Sequence, residues 1–381
     1  MDDLHRLASG HLVSSVRLWC MAALSAMFIA GPAGADEDGW RRWLPDVGVA
    51  ISGDLTLAGG DRLNGYGAYD ATRTGFGLDY LAIGLLADYG GHVRIDAAAV
   101  VTLDDAFLDS AAIIVDRLPW NVTIRAGVIS SRVGFESGRA EWESSFPDQA
   151  LALGRVFGEY GYRPLGIDLA FEIPAPWTLR PFFGATAAFG YGQRSFYGEE
   201  TDSANSDVDE PRDLVWTLGL ENVFEVDDVT LGLEFAALLG PNPTGRGNQT
   251  DLLSLAFSVE YPEEGNDVGV LFETEWFTRR RQVPGGNVSD TSGLVSLMFD
   301  FAEDWEAGAR FDFLQSVPRS VLELAQDSQY RTTVLVGYEP GDYLSFDLAA
   351  SFETGGNHDD LGYTVQLNVR AGFMPIIEEE D

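Results

Sequence analysis

The sequence contains no lysine: all 24 basic residues are arginine, against 60 acidic residues, and the formal net charge is −36. Binding to a nucleic acid requires a cationic surface, so this balance argues against a nucleic-acid partner. Histidine and cysteine are also scarce, with 4 and 1 residues. That scarcity leaves few candidates for a zinc site or for a catalytic His.

Apolar and aromatic residues, in contrast, are plentiful. Hydrophobic residues make up 45% of the chain and aromatic residues 12%, and there are 43 glycines. A chain this apolar does not stay unfolded, and its glycine and aromatic content indicates many turns and strands. Mean hydropathy is close to zero, as in a soluble protein. Composition alone therefore predicts an acidic, aromatic-rich, all-β protein.

The N-terminus predicts an export signal. A charged start precedes the apolar run 18–30, and small residues follow at a cleavage site of the A-x-A type. The run is too short to span a bilayer. We expect residues 1–35 to be removed as a signal peptide and residues 36–45 to form a short periplasmic segment; a buried N-terminal helix is the alternative. Cys20 lies inside the signal, so no disulfide is expected in the exported protein.

The exported chain alternates between apolar and polar residues. In 363–373, apolar odd-numbered positions alternate with polar or small even-numbered ones, a period of two that predicts a strand with one apolar face. The same pattern recurs along the chain and predicts sixteen strands. They run over 46–57, 75–89, 92–103, 106–116, 119–131, 165–173, 177–191, 213–225, 229–239, 251–261, 268–281, 293–302, 305–315, 329–339, 342–353 and 361–373.

Strand length and connection length indicate a membrane barrel. Most strands are long enough to cross a bilayer at a tilt, and short turns alternate with longer polar connections. We therefore predict a transmembrane antiparallel β-barrel over residues 46–373, followed by an acidic tail at 374–381. A soluble β-sandwich is the structural rival, but it does not need strands this uniform. Aromatic residues flank the short turns, as in an interfacial belt: Tyr89, Trp120, Trp177, Phe224, Tyr261, Phe301, Trp305 and Tyr343.

If the apolar positions face lipid, the opposite positions line a lumen with about twice as many acidic as basic residues. The acidic ones are Asp54, Asp96, Asp168, Glu172, Glu221, Glu234, Glu260, Glu273, Glu275, Glu306, Asp312, Glu339, Asp347 and Glu353. The basic ones are Arg94, Arg125, Arg180, Arg279, Arg310, Arg331 and Arg370. A negatively lined, water-filled pore concentrates cations, so we expect a cation preference.

The connection 132–164 is the longest, and it is richer in apolar residues than a solvated loop. We expect it to fold into the lumen and narrow it; a surface loop packed on its own aromatic residues is the alternative. Its polar residues Glu136, Arg139, Glu141, Glu143 and Asp148 are candidates for a constriction. We expect the acidic members to face Arg94, Arg125 and Arg180, which would create a transverse field that orients polar solutes.

Segment 119–189 resembles a group of porin-like barrels known as zinc-regulated outer-membrane proteins, which are relatives of the phosphate-selective porins. The matching features are R-A-G…G-F at 125–135, G-E-x-G…P-x-G at 158–166 and P-x-P-W at 174–177. The resemblance implies a passive outer-membrane barrel and supplies no catalytic residue. Two properties of the group do not carry over. Residues 134–148 contain no His, which leaves zinc unsupported, and the absence of Lys with an acidic lumen argues against phosphate.

These observations predict a porin for passive diffusion of small hydrophilic solutes or ions, without enzymatic activity or a cofactor. Expected partners are outer-membrane lipid and lipopolysaccharide, the barrel-assembly machinery, and small solutes or cations; sixteen strands are also compatible with a homotrimer. One alternative is a structural or adhesion barrel with a closed lumen. Another is a barrel-based hydrolase using His358 beside Asp359 and Asp360, although a lone loop His is usually solvated.

Overall fold

The structure is a computed structural model. It describes residues 46–61, 74–102, 106–139, 144–159, 161–190, 192–197, 214–245, 247–261, 268–302, 304–316, 327–341, 343–355 and 358–373. The predicted signal peptide, the segment 36–45 and the tail 374–381 lie outside the described residues, as do Glu141 and Glu143.

The described chain is almost entirely strand. The strands are β1 (Asp46–Asp61), β2 (Gly75–Tyr89), β3 (Val93–Val101), β4 (Ala106–Leu118), β5 (Val122–Val128), β6 (Leu165–Phe171), β7 (Thr178–Ala187), β8 (Leu214–Val226), β9 (Val229–Pro241), β10 (Gln249–Tyr261), β11 (Gly269–Val283), β12 (Gly286–Ala302), β13 (Trp305–Leu314), β14 (Gln329–Tyr338), β15 (Leu344–Gly355) and β16 (His358–Phe373). Two short helices, α1 (Phe135–Gly138) and α2 (Leu151–Val156), lie between β5 and β6. Within the described parts of the chain, neither helix has the length and apolar character of a membrane-spanning helix.

The sheet closes on itself. Each strand pairs antiparallel with its neighbours in sequence, and β1 pairs with β16, from Ile51 opposite Phe373 to Asp61 opposite Tyr363. Closure satisfies the backbone N–H and C=O groups between strands and leaves no edge, as a structure that spans a bilayer requires. The prediction of an antiparallel barrel of sixteen strands is confirmed.

Successive side chains of each strand face opposite sides of the wall. In β16, Tyr363, Val365 and Leu367 are exposed on the outer face at 44%, 46% and 37%, whereas Gln366 and Asn368 face inwards and are buried. This alternation gives an apolar outer face that suits contact with lipid. It also explains the near-zero mean hydropathy, because each apolar residue is followed by a polar one that faces the lumen.

Aromatic rings collect at the end of the barrel that carries the short turns. Trp177 follows the β6–β7 connection and stacks on Phe224, which precedes the β8–β9 turn, with 5.5 Å between ring centroids. Trp305 begins β13 and packs against Tyr338 at the end of β14, at 4.7 Å. Rings in this position form an interfacial belt, where an amphipathic aromatic side chain is favoured.

One connection at the opposite end differs from the prediction. The sequence predicts a polar connection over 282–292, but β11 and β12 are joined by the two-residue turn 284–285. Gly285 has a φ of 94°, a left-handed conformation that glycine adopts readily in a tight hairpin turn. The adjoining strand residues are polar on the outer face too, since Arg280 pairs with Ser289 there. Because the outer face is polar here, this stretch does not show the alternation of apolar and polar residues that predicts a strand.

The predicted strand 119–131 is shorter in the structure, where β5 covers Val122–Val128. Trp120 and Asn121 have positive φ angles of 67° and 52° and form part of the turn instead. Apart from this strand and β12, the strand bounds agree with the predicted ones to within a few residues.

Candidate functional site: the lumen and its inserted loop

The connection between β5 and β6, residues 129–164, folds into the lumen and is called the inserted loop below. Its helix α2 is buried along its whole length and lies against the inner face of β11, β12 and β13. Phe157 stacks on Tyr162, with ring centroids 4.8 Å apart, and meets the edge of Phe277 at 5.7 Å. Burial of this apolar surface, worth about 25 cal/mol per Å², stabilises the inward position.

Asp148 ties the inserted loop to two strands. Its Oδ1 accepts a hydrogen bond from Arg310 Nη2 at 3.1 Å, and its Oδ2 accepts one from Arg331 Nη1 at 2.9 Å. The two guanidinium groups also donate to Asp312 and Glu353, each at 2.9 Å. All five side chains are largely buried, so solvent screens these interactions weakly and they fix the loop firmly.

Arg139 forms a second anchor. Its Nη1 donates to Glu273 Oε2 at 2.7 Å and to Glu136 Oε2 at 2.9 Å, and its Nη2 donates to the other oxygen of Glu273. Burial lowers the pKa of Arg139, but the hydrogen bond to Glu273 and the charge of Glu136 more than offset it, so the pKa is raised above its ordinary value. The guanidinium group therefore stays charged, and its bidentate contact with Glu273 is a charge-assisted hydrogen bond.

Two wall carboxylates bind the backbone at the start of the inserted loop. The N–H of Gly134 donates to Glu234 Oε1 at 2.7 Å, and the N–H of Glu136 donates to Glu275 Oε1 at 2.5 Å. Gly134 has a φ of 78°, and a Cβ added to it would lie 2.7 Å from Glu275 Oε2. Both the left-handed backbone and the close approach therefore require glycine at this position.

Further contacts join the second half of the inserted loop to the wall. Arg163 Nε donates to Asp109 Oδ1 at 3.1 Å, and Arg279 Nη1 donates to the carbonyl oxygen of Arg155 at 3.1 Å. Arg155 and Arg279 lie 3.5 Å and 2.9 Å from Asp290 Oδ2. Sequence reasoning missed Arg155, Arg163 and Asp290. The first two lie in a loop, where strand alternation does not apply, and the third lies in the stretch that was not predicted as strand.

Along β5–β8, charged side chains of the wall and Arg132 of the inserted loop alternate in sign and form an ion-pair ladder. Its members are Arg125, Asp168, Arg132, Glu221, Arg180 and Glu172. Arg125 Nε donates to Asp168 Oδ2 at 2.8 Å, Arg132 Nη1 lies 4.0 Å from Glu221, and Arg180 Nη1 lies 3.1 Å from Glu221. Burial, and next the charge of Arg125, lower the pKa of Arg132. The ladder is close to electrically neutral because its charges are paired.

The partners of three arginines of the wall differ from the sequence expectation. Arg94, Arg125 and Arg180 were expected to face carboxylates of the inserted loop, yet in the described residues they pair with carboxylates of their own wall. The reason is register: Arg125 lies directly opposite Asp168, and Arg180 directly opposite Glu221. Cross-strand neighbours on one face lie within direct contact distance, so each arginine has a carboxylate of the wall as its nearest partner.

Part of this wall is open to water. Arg94 donates to Asp116 at 2.7 Å, and the two side chains are 44% and 21% exposed. Arg180 and Glu172 lie 3.2 Å apart and are 30% and 45% exposed. Both pairs lie at the ends of their strands beside the short turns, so the mouth of the barrel at that end is open to water.

Asp96 and Arg370, two other predicted lining residues, also lie on the inner face of the wall, whereas Glu339 lies past the end of β14. Asp96 accepts a hydrogen bond from Ser110 Oγ at 3.4 Å, and Arg370 Nη1 donates to the carbonyl oxygen of Ser144 in the inserted loop at 3.4 Å. The structure thus gathers Glu136, Arg139 and Asp148 with Glu273, Glu275, Arg310 and Asp312 around the loop. In the described ranges, no group of three or more His, Cys, Asp or Glu side chains is placed to hold a metal ion.

No protein-family model matches the sequence, and a search of curated proteins finds no match. Solved structures are similar in fold. OprB of Pseudomonas putida has a TM-score of 0.61 at 11% identity, over 87% of this chain and 94% of that one. An anion-selective porin of Comamonas acidovorans has a TM-score of 0.56 at 12% identity, over 86% and 100%. The trimer form of OmpT, an outer-membrane protein of Vibrio cholerae, has a TM-score of 0.53 at 9% identity, over 86% and 99%. These likenesses extend to neither the zinc nor the phosphate association of the group that the sequence resembles. The chain therefore has the porin-type fold of these outer-membrane proteins, a closed β-barrel of sixteen antiparallel strands.

Proposed function

We propose that this protein is a porin of the bacterial outer membrane through which small hydrophilic solutes or ions diffuse passively, with a preference for cations. The observation that supports this most is the charged inner face of the barrel, on which Arg180 and Glu172, at the short-turn end, are 30% and 45% exposed. Water-accessible ion pairs inside a closed barrel are what an aqueous passage requires. The apolar outer face supports a location in lipid, reached through the barrel-assembly machinery and bordered by lipopolysaccharide.

The charge of the lumen supports the cation preference. The ladder on one wall is close to neutral, and carboxylates outnumber guanidinium groups on the remaining inner face. A low-dielectric channel with excess negative charge raises the local concentration of cations. The Comamonas porin is described as anion-selective. The acidic lining of the present barrel favours cations instead.

A homotrimer is the oligomeric state that we infer. On the outer face of β3, β4 and β5 the side chains are aliphatic, for example Ala97, Ile113 and Ala126, whereas most other strands carry aromatic rings there. A smooth aliphatic face allows close packing between barrels. One of the similar structures is a trimer. Native mass spectrometry in detergent tests this inference, and a monomer alone would contradict it.

A barrel with a closed lumen is the second candidate. It is favoured by the apolar cluster that the inserted loop forms with the wall, because Phe157, Phe277 and Phe196 fill space that a wide pore would leave open. In that case the protein is a structural or adhesion barrel. The hydrolase alternative rests on His358, which lies at the start of β16, and we do not propose it.

Swelling of proteoliposomes separates the two candidates. Vesicles that contain the refolded barrel are diluted into isosmotic solutions of small sugars and of potassium chloride, and light scattering reports solute entry. A porin gives swelling whose rate falls as the solute becomes larger. Vesicles with no more permeability than protein-free controls would support the closed barrel and refute the porin.

A further inference from the structure

Carboxylates line up across the inner face of β12–β15, near the short-turn end. Asp300 pairs with Glu306, Glu306 with Gly337, and Gly337 with Asp347 in the strand register. These four positions therefore lie side by side on the inner face of four neighbouring strands. The side chains of Asp300, Glu306 and Asp347 are called the carboxylate row below.

Gly337 leaves a gap in this row. A Cβ added to Gly337 would lie 2.5 Å from Glu306 Oε1 and 3.0 Å from Asp347 Oδ1. Oxygen atoms of two carboxyl groups thus converge on one small volume that no side chain of β14 occupies. Like charges that approach the same small volume repel each other, so the arrangement needs a positive charge or a shared proton between them.

One oxygen in the row has no donor. Asp347 is only 4% exposed, and its Oδ1 makes no hydrogen bond within the described part of the chain. A buried carboxylate oxygen without a partner is costly. Arg370 is a basic group that acts on both Glu306 and Asp347, yet its guanidinium group also reaches the carbonyl oxygen of Ser144 at 3.4 Å and 3.5 Å.

The inserted loop covers this row on the side away from the short turns. Phe146 packs against Met298, Leu335 and Ala349, which lie two residues from the row along β12, β14 and β15. Glu306 itself is half-buried and remains open to the lumen. A cation that has passed the loop therefore meets the carboxylate row directly afterwards.

We propose that Glu306 and Asp347 form a binding site for a monovalent cation, an alkali ion or the ammonium head of a small amine, at the inner mouth of the pore. The site deepens the proposed porin function and rests on it. A calcium ion takes about six to eight oxygen ligands, and the described residues contain no metal-ligating group of three or more such side chains. Two converging carboxyl groups suit a monovalent cation that keeps part of its own hydration.

Ion selectivity of the intact barrel in planar bilayers tests the proposal. Reversal potentials are measured in a potassium chloride gradient for the wild type, for the isosteric double variant Glu306→Gln/Asp347→Asn, and for Gly337→Ala. The double variant Asp227→Asn/Asp228→Asn is the matched control, because it also removes two negative charges, from an exposed turn at the same end of the barrel. Butylammonium added at the short-turn side serves as the amine probe, and refolding of each variant is checked by heat modifiability on gels.

We expect Glu306→Gln/Asp347→Asn to lose about half or more of the permeability ratio of K⁺ over Cl⁻, and Asp227→Asn/Asp228→Asn to retain it. Gly337→Ala keeps both charges and fills the gap, so it should weaken block by butylammonium even where selectivity persists. If the site binds alkali ions but not amines, butylammonium does not block the wild type, and Glu306→Gln/Asp347→Asn still changes the ion selectivity. The proposed site would be overturned if the wild type is cation-selective but neither Glu306→Gln/Asp347→Asn nor Gly337→Ala changes the permeability ratio or the block by butylammonium. That result would leave the porin function intact. A wild type that does not conduct would instead refute the porin function itself.

Discussion

Asp148 accepts a hydrogen bond from Arg331 Nη1 at 2.9 Å, although 183 residues separate the two in the sequence. The inserted loop leaves the wall at β5, and β13 and β14 lie on the opposite side of the ring of strands. By reaching Arg310 and Arg331, the loop therefore crosses the lumen instead of lining one wall. This contact fixes the position of the inserted loop in the lumen, and with it the space that the loop leaves for a passage.

Asp148→Ala should release the inserted loop. The substitution leaves the buried guanidinium groups of Arg310 and Arg331 without this partner, a change that typically destabilises by about 3–5 kcal/mol. Single-channel conductance in planar bilayers should rise, and the thermal unfolding temperature should fall. Asp116→Ala is the control: its pair with Arg94 is solvent-exposed and worth under about 1 kcal/mol, so both quantities should change little. Unaltered conductance in a folded Asp148→Ala barrel would show that the loop does not restrict the pore.

Gly134→Ala should displace the start of the inserted loop. Its new Cβ would lie 2.7 Å from Glu275 Oε2, and the φ of 78° is unfavourable for alanine. We expect faster proteolysis within residues 129–164 and a broader distribution of conductance levels. Gly90→Ala is matched in backbone strain, with a φ of 65°, but its Cβ would meet nothing within 4 Å. Equal effects of the two variants would attribute the change to backbone strain and not to contact with Glu275.

Charge changes in the ladder should shift selectivity in opposite directions. Arg180→Gln removes a half-exposed positive charge from the lumen, so the permeability ratio of K⁺ over Cl⁻ should rise. Glu172→Gln removes the partner charge, 3.2 Å away, and the ratio should fall. Because both residues are reached by water, salt screens these effects, and the difference between the variants should shrink above about 1 M salt. A shift of both variants in the same direction would mean that pore geometry, not charge, controls selectivity.

The aromatic belt should contribute to stability. Trp305 and Tyr338 lie 4.7 Å apart, a pair worth about 0.5–1.5 kcal/mol beyond buried area. A double-mutant cycle of Trp305→Ala and Tyr338→Ala, followed by urea unfolding in lipid vesicles, measures that coupling directly. Additive effects of the two substitutions would mean that the rings act separately at the interface.

The strands of the barrel were predictable because the alternation of outward-facing and inward-facing side chains is a local property of a strand. Strand alternation places Val365 outside and Gln366 inside whatever the rest of the fold does, so parity, strand number and the lumen-facing carboxylates follow from the sequence. The rule fails where both faces meet water, and for that reason the extension of β12 towards Gly286 was missed. It also fails at Trp120, whose positive φ places it in a turn.

The partners within the lumen were not predictable in the same way. The length and apolar content of 132–164 indicated an inward loop, and Asp148 was singled out, but not its contacts with Arg310 and Arg331. Those contacts depend on how a loop crosses the lumen, a property that strand alternation does not encode. The pairs Arg125–Asp168 and Arg180–Glu221 could have been found, because aligning the hairpins places each pair in register.

The proposed porin has a water-filled lumen whose excess carboxylates favour cations. The reversal potential of single wild-type channels, measured in a planar bilayer across a potassium chloride gradient at neutral pH, tests it most directly. The acidic lumen predicts discrete conductance steps and a potential of the sign given by K⁺ moving down its gradient. A potential of the opposite sign, or a bilayer that shows no conductance although folded protein has been inserted, would contradict a cation-selective pore.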